Sequence, residues 1–127
     1  MLTKEEYAAN RKKWVEALRS GEYEQGIADL QRGTSFCCLG VACEVASKEG
    51  VAVAYSDGEI DGVCLSSQRV VSHWLGIQDD EGAYGPFNEF GMRPSHLTMD
   101  NDRGKTFDEI ADIIESNPDG LWAEGTY

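Results

Sequence analysis

At 127 residues, with 41% hydrophobic and 27% charged residues, the chain has the size and composition of one ordinary globular domain. No apolar run approaches the roughly 18 residues that a membrane-spanning helix needs, and a formal net charge of −12 weighs against binding a phosphate backbone. That charge is uneven: residues 1–55 carry 7 Lys/Arg against 8 Asp/Glu, whereas residues 56–127 carry 4 against 15, an acidity that suits a basic protein partner, a cation or plain solubility.

Met1-Leu2-Thr3-Lys4-Glu5-Glu6 contains no apolar signal core, so a cytoplasmic setting with reduced thiols is expected. Thr3 and Glu6 have capping-box spacing and open a first helix, on which Tyr7, Trp14, Val15 and Leu18 share a face. Ser20-Gly21 ends it. Residues 22–30 are ambiguous between a helical turn and an extended segment, and residues 31–35 have loop composition. Residues 36–49 then read as a buried middle helix, capped by Ser35 and stopped by Gly50, that carries three of the four cysteines. Gly40 inside it costs about 1 kcal/mol relative to alanine, which implies a close approach by another backbone or by Trp14. Residues 51–55 and 59–65 read as two short strands joined by Ser56-Asp57-Gly58, a hairpin signal. Ser66 or Ser67 is placed to cap a third helix that ends at Gly76, with Val70, Val71, Trp74 and Leu75 as its stripe.

Residues 77–105 form a long irregular segment with Tyr84, Phe87, Phe90 and Met92 embedded in it. Segments of that length are often functional, and this one reads as a lid or as the host of a short strand or helical turn. Thr106 and Glu109 are a second capping box, and Phe107, Ile110, Ala111, Ile113 and Ile114 stripe the last helix. Residues 117–127 form a C-terminal tail, either docked by Trp122 or flexible. The expected architecture is a single α+β domain, 1–127, of about four helices packed around the cysteine-rich helix, with a small β-hairpin.

Candidate chemistry centres on a few residues. Cys37, Cys38, Cys43 and Cys64, with His73 and His96, lack the C-x₂₋₄-C spacing of structural zinc sites. The alternating acids at Asp100 and Asp102 echo a calcium loop, but Gly104 and Lys105 stand where that loop needs an oxygen ligand and a glycine. No metal and no cofactor is expected. A cysteine at a helix N-terminus can have a lowered pKa, so Cys37 or Cys38, with His73 or His96 as base and Asn101 or Asp102 to orient it, composes a cysteine hydrolase or transferase. The apolar run opposes this, because buried thiols are inert. Arg11-Lys12-Lys13 reads as a solvated helix face, and the chain has no phosphate-cradling glycine motif.

Three blocks carry a resemblance: Trp14-x-x-Ala17-Leu18-Arg19-Ser20-Gly21-x-Tyr23-x-Gln25, Phe36-Cys37-Cys38-Leu39-Gly40-Val41, and Asn101-Asp102-x-Gly104-x-x-Phe107-x-x-Ile110-Ala111-x-x-Ile114-Glu115. Together they resemble a family of small proteins common in bacteriophage and prophage genomes. The resemblance implies a phage-associated setting without an assigned activity, and it makes Tyr23, Gln25, Asn101 and Asp102 the candidate ligand-binding residues. The expectation is a non-catalytic accessory protein in the host cytoplasm. It would bind a host protein through its acidic face or sequester a small molecule such as a nucleotide, with counter-defence as one role. The cysteine-dependent enzyme and a structural or assembly protein are the alternatives. Direct nucleic-acid and membrane partners are not expected, and a homo-oligomer is compatible with the composition.

Overall fold

The first element forms where its capping box places it. In the computed structural model, which describes residues 2–127, helix α1 spans Lys4–Arg19. The Glu6 backbone N–H donates to Thr3 Oγ1 at 3.1 Å, and the Thr3 N–H donates to Glu6 Oε1 at 3.0 Å. Its inner face buries Tyr7, Asn10, Trp14, Val15 and Leu18.

The ambiguous residues 22–30 and the segment after them contribute three two-residue strands. β1 (Glu24–Gln25), β2 (Gln31–Arg32) and β3 (Ser35–Phe36) form a sheet in the order β1-β3-β2, with β1 parallel and β2 antiparallel to β3. The loop reading of residues 31–35 therefore gives way to pairing. It also takes Ser35 and Phe36 out of the next helix. Helix α2 spans Cys38–Lys48, with Cys37 at its N-cap and no side-chain cap. Ser35 does not cap it; the Ser35 hydroxyl donates to the Arg32 carbonyl instead.

Helix α2 is the centre of the core, with Cys38 through Cys43, Val45 and Ala46 buried. The close approach implied by Gly40 is real, and the neighbour is backbone. A Cβ there would overlap the Leu30 carbonyl oxygen and lie 2.7 Å from its carbon. Trp14 comes to the same helix by another route, its indole N–H donating to the Cys38 carbonyl at 2.9 Å.

The expected hairpin forms but is shorter than its sequence signal. Only Tyr55–Ser56 (β4) and Glu59–Ile60 (β5) pair, around Asp57-Gly58 with both residues at positive φ. Before β4 the Ala54 carbonyl still accepts from the Asp61 N–H at 3.0 Å, but the Ala54 N–H is taken by the buried amide of Gln68. Its Oε1 accepts from the Ala54 N–H at 2.9 Å, and its Nε2 donates to the carbonyls of Ala54 and Asp61. A 3-10 turn at Leu65–Ser67 precedes helix α3 (Arg69–Leu75), whose N-cap is Gln68, so neither Ser66 nor Ser67 caps it. Gly76 closes α3 in the left-handed conformation, as a C-terminal glycine should. Val71, Trp74 and Leu75 are buried, while Val70 of the expected stripe is exposed.

The long irregular segment contains a second hairpin, β6 (Ala83–Tyr84) with β7 (Ser95–His96), and a short helix, α4 (Leu97–Asp102). Helix α5 (Phe107–Glu115) begins at the second capping box, Thr106 with Glu109. The tail is docked, with Leu121, Trp122 and Thr126 buried. Among the described residues this makes five α-helices and three small sheets, an α+β domain with one helix more than the sequence pattern implied. No helix is long and apolar enough to cross a membrane.

Candidate functional site

The thiols of α2 are built into the core. Cys37, Cys38 and Cys43 are free and buried, and Cys64 is partly exposed. The expectation of a dipole-lowered thiol at the helix N-terminus is not met. Burial pushes the Cys37 thiol up to about 11, the nearby Asp102 charge adds to it, and the backbone N–H groups of Gly40 and Leu39 pull the other way without prevailing. Burial likewise raises Cys38, whose thiol donates to the Leu97 carbonyl at 3.6 Å, and Cys43. His73 lies exposed in the last turn of α3, and His96 precedes α4 as its N-cap. A cysteine–histidine pair is not assembled: among the described residues neither imidazole hydrogen-bonds to a thiol.

Asn101 and Asp102 lie on α4, not in a calcium-type loop. Asn101 is 1% exposed and uses its whole amide inside the fold. Its Oδ1 accepts from Gln25 Nε2 at 2.9 Å and from the Cys38 backbone N–H at 3.2 Å. Its Nδ2 donates to the Gly26 carbonyl at 2.8 Å and to Asp102 Oδ1 at 3.2 Å. Asp102 also accepts from the N–H of Ala28, a residue held at φ 68°. So Gln25, Asn101 and Asp102 converge, as a clamp between β1, the start of α2 and α4. Asn101 has no hydrogen-bonding capacity left for a ligand. Tyr23 stands apart, with its ring edge-on to Phe36 at 5.5 Å and its hydroxyl accepting from Lys48 Nζ.

An open concavity lies elsewhere, and among the candidates named from sequence it takes in His96 alone. The loop between β6 and β7 forms one wall of a groove of about 1100 Å³, and residues 117–124 and Tyr127 form the other. Backbone bonds fix the second wall: Gln78 N–H to Leu121 O at 2.9 Å, Ala123 N–H to Gly76 O at 2.7 Å, and Gly85 N–H to Asp119 O at 2.8 Å. Beneath it Trp122 meets Trp14 edge-on at 6.5 Å and lies under the Arg11 guanidinium at 3.9 Å. Arg11 donates to the Leu75 carbonyl and the Thr126 hydroxyl, and burial pulls its pKa down to about 10, so it stays charged at neutral pH. Trp122 is thus the docking residue of the tail, one of the two readings its sequence allowed.

Arg93 braces the first wall. Its guanidinium stacks on Phe87 at 4.0 Å, bonds the Gly85 carbonyl, and occupies the space a Cβ on Gly120 would need. The carboxylates of Asp79, Asp119 and Glu124 face the groove alongside Arg93 and His96. At the loop tip Phe87, Phe90 and Met92 are 63%, 77% and 61% exposed. The signal that pointed here in the sequence was the set of large apolar residues in an otherwise polar, turn-rich segment. Which residues face them across the groove depends on tail docking, which leaves no local pattern.

No curated protein and no solved structure matches the chain. Residues 8–118 match the family model described as Domain of unknown function (DUF8296), and the chain belongs to that family.

Proposed function

We propose that the protein is a non-catalytic binding protein, a phage accessory factor that grips a basic segment of a host protein in the groove between the 85–94 loop and the C-terminal tail. One observation carries this reading. Three large apolar side chains, Phe87, Phe90 and Met92, stand exposed on one loop beside a carboxylate-lined groove, in the half of the chain that holds 15 acids against 4 bases. Exposed aromatic and methionine clusters mark interaction surfaces, and the surrounding acids favour a partner of opposite charge and speed its approach. A groove open between a loop and the tail suits an extended polypeptide, whereas metabolite pockets are largely enclosed. A cysteine-dependent reaction is disfavoured because the thiols of α2 are buried and protonated. The host cytoplasm and a defence component as target are parts of the proposal, and self-association through the same loop is the competing outcome of its test.

Immobilised protein should retain one or a few basic proteins from host lysate at low salt and release them at high salt. Each, once purified, should bind wild type and not Phe87→Ser/Phe90→Ser, a pair that leaves the core untouched. Retention that is equal in that variant, or indifferent to salt, would sink the reading. Sedimentation of the free protein as a dimer that the variant converts to monomer would reassign the loop to self-association.

A further inference from the structure

We propose that Asp79, Glu81 and His96 bind one divalent transition-metal ion of the zinc class at the rim of the groove. A donor atom from each side chain lies within 4.8 Å of the other two. Such ions hold carboxylate oxygen and imidazole nitrogen at about 2.0–2.2 Å, so their donors stand up to about 4 Å apart and a small side-chain adjustment closes the set. The convergence is built by the backbone. Asp79 Oδ2 accepts from the N–H groups of Glu81 at 2.9 Å and Ala83 at 3.2 Å, which folds the turn that carries both carboxylates. That turn is stitched to the junction of β7 and α4 by Leu97 N–H to Gly82 O at 3.0 Å and Thr98 N–H to Glu81 O at 3.3 Å. Ala83 pairs directly opposite His96. The fold bonds of Asp79 fall on Oδ2, leaving Oδ1 for an ion. Among the described residues the side chains of Glu81 and His96 make no hydrogen bond or ion pair.

The donor chemistry selects the ion. Two carboxylates and one imidazole suit borderline transition metals, whereas calcium and magnesium take shells of oxygen alone. Three protein donors leave positions open. Asp79 and His96 also line the groove, so those positions face whatever occupies it. A bound ion would neutralise those two carboxylates and offer the occupant of the groove a ligating position.

Calorimetric titration of the intact protein with zinc and with cobalt tests this, on wild type, Glu81→Gln and His96→Asn. One ion per chain is expected, with affinity falling tenfold or more in each variant and metal-free melting temperatures unchanged. Cobalt-loaded protein should show ligand-field bands of a nitrogen and oxygen shell and no thiolate charge-transfer band. Absence of saturable binding, wild-type affinity in either variant, or a thiolate band that moves the ion to the cysteines would each overturn the site. Because binding is read on the protein alone, the outcome is independent of whether a partner is captured.

Discussion

Gly40 lies in the middle of α2, where helix propensity alone would favour alanine by about 1 kcal/mol. With the Leu30 carbonyl against its Cα, Gly40→Ala is expected to reverse that sign and destabilise the fold by about 3 kcal/mol, seen as a lower urea midpoint. An unchanged midpoint would mean that Leu30 can move aside. Asn101 works the other way, by what it holds. Asn101→Ala leaves the Cys38 N–H and the Gly26 carbonyl without partners, at about 1–3 kcal/mol each. Its destabilisation should be about 2–6 kcal/mol, large for a single polar truncation. Ala28, held left-handed beside this clamp, carries strain of about 1 kcal/mol that glycine would not. Ala28→Gly should therefore raise stability by a few tenths to about 1 kcal/mol, and a lower urea midpoint would contradict the strain.

Local capping signals made α1 and α5 legible, because a capping box is written within four residues. The start of α2 was not, since its first N–H is satisfied by Asn101, 63 positions away. The same holds for Ala54, whose N–H is taken by the Gln68 side chain, 14 positions away, and not by a strand. The expected buried cysteine-rich helix is present and sets a measurable pH dependence. Cys37 titrates near 9.0 when unfolded and at about 11 when folded. A raised folded pKa gives stability that is complete below pH 9 and lost as pH climbs to 11, at about 1.4 kcal/mol per pH unit for each thiol so affected. Urea unfolding followed from pH 8 upward should show that slope, and a flat profile would mean the thiols are solvated. Native protein should also react with a thiol reagent at Cys64 alone, and at all four cysteines after unfolding. Rapid native labelling of Cys37 would revive a cysteine-based reaction.

Across the whole molecule the dominant field is acidic, and self-repulsion works against the compact state. Monovalent salt should raise the melting temperature by screening it, even though it weakens the exposed pairing of Arg19 with Asp112 and Glu115. A melting temperature that falls with salt would mean those pairs outweigh the net repulsion. The charge asymmetry was plain in the sequence, and so was the apolar content of residues 84–92. The groove was not, because it exists only between a hairpin loop and a tail more than twenty residues further on. That geometry has a consequence for synthesis. Residues 117–127 leave the ribosome after the other wall of the groove, yet they also cover Trp14 through Trp122. A nascent chain whose tail is still in the exit tunnel has half a groove and an open core edge. It must fold without presenting the finished surface, and competence to capture a partner arrives only when those residues have cleared the ribosome.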